Sequence, residues 1–76
     1  MEYEACYNSM LDGQIVARGD SPLDARAAIF ESAQAHPHRL SRGTAMLVAL
    51  DATVRSVTSD GRLGPSYRLA PEVIEP

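Results

Sequence analysis

The chain has 76 residues, 45% of them hydrophobic and 22% charged, with a formal net charge of −3. That balance excludes a disordered segment and leaves room for one small domain, which buries only about 60% of the surface its unfolded chain exposes. The single cysteine excludes an intrachain disulfide and a paired-cysteine zinc site.

"EYEACYNSMLDGQIVARG" predicts a β-hairpin over 2–19. Tyr, Ile and Val favour strands, and Asp12-Gly13 is a strong short hairpin signal. A two-residue turn would pair Leu11 with Gln14. A three-residue loop, Leu11-Asp12-Gly13, would pair Met10 with Gln14 and put Gly13 in the left-handed position. The second register is preferred, because it gathers Tyr3, Ala5, Tyr7, Ser9, Ile15 and Ala17 on one face and leaves Glu4, Cys6, Asn8, Met10, Gln14, Val16 and Arg18 on the other.

"GDSPLDARAAIFESAQAHP" predicts a helix over 21–36. Ser21 is the N-cap, Pro22 suits the first turn and Asp24 completes a capping-box-like pattern. Pro37 disfavours helical angles at His36, so the helix ends near Ala35. At 100° per residue, Leu23, Ala27, Ile29, Phe30 and Ala33 form the expected apolar face. Arg26 falls between Ile29 and Phe30. It either snorkels at the sheet edge, the preferred reading, or anchors a carboxylate or phosphate.

The region 44–70 reads as the C-terminal strands. Residues 45–50 form an unbroken apolar run of strand length, read as a central buried strand. A helix through "MLVALDATV" is the alternative, set aside because β-branched residues follow. Thr53–Ser59 then leads to a turn at Asp60-Gly61, and Gly64-Pro65 confines the returning strand to an edge or to a short segment such as Ser66–Leu69. Residues 71–76 read as a tail that docks through Val73 and Ile74. The expected fold is α+β, with an N-terminal hairpin, one helix, two or three further antiparallel strands, and the helix on one face of a single sheet.

No motif for catalysis stands out. The serines lack a nucleophile elbow, and Cys6 on a strand lacks the helix N-terminus that activates many thiols. His36 and His38 flank Pro37 and offer two ligands where a metal needs three or four. No enzyme activity, metal or cofactor is expected. All seven basic residues are arginine, which suits bidentate recognition. Tyrosine and arginine favour contact hot spots, so Tyr7, Arg18, Arg39, Arg42, Tyr67 and Arg68 form one candidate set for partner binding. Glu2, Glu4 and Asp12 form an alternative acidic set. The first set would meet an acidic or phosphate-like surface and the second a DNA-binding groove, and charge reversal of each is expected to separate them. The loop 36–42 carries Arg39 and Arg42 beside the two histidines. These groups either contact an anion or serve the C-terminal end of the helix dipole.

No apolar run approaches the roughly 18 residues of a membrane span. A lone thiol fits a reducing compartment, and "MEYEACYNSM" holds two glutamates and no basic residue, unlike a secretory or transit leader. The expectation is a cytoplasmic protein of a bacterial host, monomer or homodimer, with no membrane partner. Direct nucleic-acid binding is not expected at this net charge.

Two resemblances follow from these features. "YEACYNSMLDGQIVARGDSPLDARAAIFESA" resembles the start of a HicB-type antitoxin in its hairpin, its "GDS" step and its alanine-rich helix. The whole chain is similar in kind to small phage-encoded anti-CRISPR proteins against type I systems, through its size, its acidic balance and a helix on a short antiparallel sheet between Tyr3 and Leu69. The first implies an antitoxin or a regulatory nucleic-acid-associated protein. The second implies a stoichiometric inhibitor that binds a Cas subunit or surveillance complex and blocks target DNA. Neither resemblance carries site residues over.

Overall fold

The computed structural model describes residues 2–9 and 13–69. It has the order β1 (Glu2–Ser9), β2 (Gly13–Gly19), α1 (Pro22–Gln34), α2 (Arg42–Asp51) and β3 (Thr53–Val57). The three strands form one antiparallel sheet in the order β2-β1-β3. The class is α+β, with two helices where the sequence predicts one.

β1 and β2 pair Tyr3 with Gly19, Ala5 with Ala17, Tyr7 with Ile15 and Ser9 with Gly13. This is neither expected register: the pairing lies two residues from the preferred one. A shift of two keeps every side chain on its face, so the predicted division into two faces stands. Gly13 has φ 77°, the left-handed value that glycine supplies without strain.

Ser21 caps α1, its Oγ accepting from Asp24 N at 3.1 Å, with Pro22 in the first turn. The helix ends at Ala35, and Leu40 N donates to Ala33 O at 2.8 Å to close it. The inward face is Ala25, Arg26, Ile29 and Ala33, so the predicted face is corrected: Leu23 is 46% exposed and Ala27 points to solvent. Gly19 explains the rotation. A Cβ there would lie 2.5 Å from Ala25 N and 2.6 Å from Asp24 C. The first turn of α1 therefore presses its Ala25 side against β2, where a leucine would not fit.

The predicted strand over 45–50 is overturned, because these residues lie in α2. Ser41 caps it, accepting from Thr44 N at 3.2 Å. Burial then falls on Ala45, Val48, Ala49 and Ala52, a helical spacing, while Leu47 is 65% exposed. The apolar run matched a buried strand in length but not in period.

Of the two or three strands expected over 44–70, one forms. After β3 the chain turns at Thr58–Arg62, closed by Thr58 N donating to Arg62 O at 2.9 Å, with Gly61 at φ 87°. It returns along the far edge of β3 through two isolated antiparallel bridges, Val57 with Leu63 and Val54 with Tyr67. Gly64-Pro65 lies between them and interrupts the pairing, as the sequence suggested. The tail 71–76 lies outside the described residues.

The core is small and alanine-rich. Ala5, Ile15, Ala25, Ile29, Ala33, Ala45, Val48, Ala49, Ala52 and Val54 form it, with Tyr3, Tyr7, Ala17, Phe30, Leu40 and Leu69 packed at its margin. Ile15, Ile29 and Val54 are its largest fully buried side chains, each contributing about 1.5–3 kcal/mol. This core lies between the inner face of the sheet and both helices.

Candidate functional site

The outer face of the sheet carries the densest charge arrangement. Alternation places Glu2, Glu4, Cys6 and Asn8 of β1 there, beside Gln14, Val16 and Arg18 of β2 and Thr53, Arg55 and Val57 of β3. The register sets Arg18, Glu4 and Arg55 side by side across all three strands. Arg55 Nε and Nη2 donate to Glu4 Oε1 at 2.9 and 2.6 Å. Arg18 Nη2 donates to Glu4 Oε2 at 3.4 Å, and its Nη1 donates to Glu2 Oε1 at 3.2 Å. The Glu4 side chain is only 10% exposed, while that of Arg18 is 51% exposed. A nearly buried carboxylate thus fixes two guanidinium groups on an open face. Charge-assisted bonds of this kind are stronger than neutral ones.

This arrangement merges the two candidate sets. Arg18 belongs to the basic set and Glu2 and Glu4 to the acidic one, yet they bind each other. Charge reversal of one set would strip the partners of the other, so the separation expected from the sequence fails. Asp12 lies outside the described residues. Arg55 completes the row and was missed, although the alternation in "TVRSV" already placed it on the polar face.

The remaining candidates are dispersed. Tyr7 is half-buried on the inner face, packed against the core. Arg42 lies over the Phe30 ring at 5.6 Å. Arg39 is exposed at φ 53°, an uncommon value for a side chain of its type. The loop holding His36, His38 and Arg39 joins two helices, not a helix and a strand. Tyr67 is exposed on the segment returning along β3, and Arg68 Nη2 lies 3.3 Å from Asp51 Oδ1.

Arg26 is 2% exposed, and its Nη2 donates to Leu69 O at 2.7 Å. Burial lowers its pKa from the ordinary arginine value. It ties the helix to the returning segment, so the sheet-edge snorkelling read from the sequence gives way to a buried tie. Cys6 is half-buried on the outer face, its Sγ accepting from Gln14 Nε2 at 3.3 Å. Comparison with protein-family models, curated proteins and solved structures returns no match. The site therefore rests on its own geometry.

A shallow cleft of about 320 Å³ adjoins the charged row, lined by Glu2, Asp20, Val57, Thr58 and Ser59. Among the described residues no three His, Cys, Asp or Glu side chains come together as metal ligands, and no helix is long and apolar enough to cross a membrane.

Proposed function

We propose that the chain is a non-enzymatic binding protein that acts as an inhibitor, covering a functional surface of a protein partner with the outer face of its sheet. The observation that carries this reading is the Arg18–Glu4–Arg55 row. Its two arginines are held in place before any partner arrives, which reduces the ordering cost of binding, and arginine is enriched at binding hot spots. Arg18 and Arg55 balance Glu2 and Glu4, so the face suits a partner with paired charges of both signs rather than a single-sign groove.

In its finer form the partner is a type I CRISPR surveillance complex in a bacterial cytoplasm, and the chain blocks target DNA binding. The support is the similarity in kind to small anti-CRISPR proteins. The test is a pull-down of the tagged chain with purified surveillance complex, with target DNA added before or after. Co-elution, loss of DNA binding when the chain is added first, and loss of both with folded Arg18→Glu are expected. A complex that ignores the chain and still takes up DNA overturns the anti-CRISPR reading.

A second reading is an antitoxin-like or nucleic-acid-associated regulator. It is favoured by the order of hairpin, Gly19-Asp20-Ser21 step and alanine-rich helix, on which the likeness to HicB-type antitoxins rests. Salt-sensitive RNA binding, or neutralisation of a toxin ribonuclease, would favour it over the first.

A further inference from the structure

The outer edge of β2 is continuous, is without a partner strand among the described residues, and lacks the devices that guard sheet edges. We propose that the chain forms a two-fold homodimer in which β2 of one copy pairs antiparallel with β2 of a second, centred on Val16, joining two three-stranded sheets into one of six strands.

Among the described residues, β2 pairs with β1 on one side and with no strand on the other. Exposed edges are commonly protected by lysine, proline, bulges or short length. The seven residues "GQIVARG" contain neither lysine nor proline. Their one charge, Arg18, is turned back onto Glu2 and Glu4 of its own chain.

The strand is also complementary to itself. A two-fold axis at Val16 sets Val16 against Val16, Ile15 against Ala17, Gln14 against Arg18 and Gly13 against Gly19. Inner residues meet inner residues and outer meet outer, so both helix layers stay on one side of the joined sheet. Val16 is 41% exposed in the single copy, and pairing covers it with its own equivalent. Arg18 stands opposite the uncharged Gln14, so no like charges face each other across the axis. On α1, the flank carrying Phe30 and Arg26 meets α2 and the returning segment through Arg42 and Leu69. The opposite flank holds Ala28 and Ser32, small side chains that leave room for a second helix. The far edge of β3 is already occupied by the returning segment, so growth stops at two copies, a closed isologous pair.

The test is sedimentation of the full chain over a wide dilution series. The dimer mass is expected, with dissociation on dilution. Val16→Lys and Val16→Glu each place like charges on the axis and should weaken the dimer about a hundredfold or more. An equimolar mixture of the two should restore it. Where either variant loses its circular dichroism, Val16→Cys in a Cys6→Ser background replaces it; Cys6 must go because it pairs with Val16 within one chain. Opposed Cα atoms about 4.5–5.5 Å apart lie within disulfide reach, so mild oxidation should give a covalent dimer. Arg18→Cys in the same background should give none, because the two positions would sit about 13 Å apart along the strands. A monomer at every concentration, a dimer indifferent to both charge variants, or pairing of β2 only with a strand of another protein overturns the proposal.

Discussion

The two edges of the sheet are built differently. Along β3 the chain doubles back, bridging at Leu63 and at Tyr67, with Gly64 N donating to Ser56 O at 2.9 Å between them. β2 is an uninterrupted strand with no strand on its outer side among the described residues. The cause lies in local chemistry. Gly64-Pro65 prevents the returning segment from completing a ladder, since proline has no N–H to give, but the two bridges suffice to cover the edge. β2 contains no such break. One edge is closed by a segment too irregular to recruit another strand, and the other keeps the regularity that recruitment needs.

The largest test of this contrast is at the β2–α1 corner. Gly19→Ala would drive a Cβ into the backbone of Asp24 and Ala25, which cannot rotate away. A loss of about 3 kcal/mol is expected in urea unfolding. Gly64→Ala on the other side meets the Ser56 side-chain oxygen first, and a hydroxyl can rotate. Its cost should be about 1 kcal/mol, and Gly64→Ala/Ser56→Ala should recover most of it. Equal losses at the two glycines would break the comparison.

The charged row that spans both edges supplies one loss between these in size and one below both. Arg55→Ala removes the closer bonds from a nearly buried carboxylate and should cost about 2 kcal/mol, below the full penalty for breaking a buried pair because Arg18 remains. Arg18→Ala removes longer bonds at an exposed position and should cost about 0.5 kcal/mol. Chemical denaturation of both variants, with a double-mutant cycle to Glu4→Gln, checks the order.

The smallest effect lies in the turn that begins the returning segment. The Thr58 hydroxyl donates to the Asp60 carboxylate and, with the backbone of the turn, holds its pKa below the usual value of 3.8. A carboxyl lowered in the folded state contributes stability above its unfolded pKa and loses it as pH falls through the folded one. Thr58→Val should move the Asp60 titration upward toward 3.8 in an NMR pH series and leave the β2 resonances unchanged.

Some of this was legible in the sequence. The two faces of the hairpin were readable because alternation has period two, and they survive a two-residue shift of register. The shift itself was not readable, because it depends on how the loop closes. Ser21, Pro22 and Asp24 announced α1, but which side it turns inward depends on Gly19, a contact between elements. Residues 45–50 look alike as a buried strand or a buried helix when judged by length. The deciding signals were the Ser41 cap and the three-and-four spacing of Ala45, Val48, Ala49 and Ala52. The charged row needed the pairing of β1 with β3, across 51 positions between Glu4 and Arg55, and no local pattern specifies that.

The buried tie from Arg26 to Leu69 also has a meaning in time. The two residues are 43 positions apart, and a ribosome adds about 5–20 residues per second. Roughly 2–9 s therefore pass between the making of this guanidinium and the making of the carbonyl that receives it. During synthesis α1 can cap itself and meet the hairpin, but the seal over its arginine must wait. The nascent domain completes itself late, and a helper or a protease acting on the growing chain would find its window there.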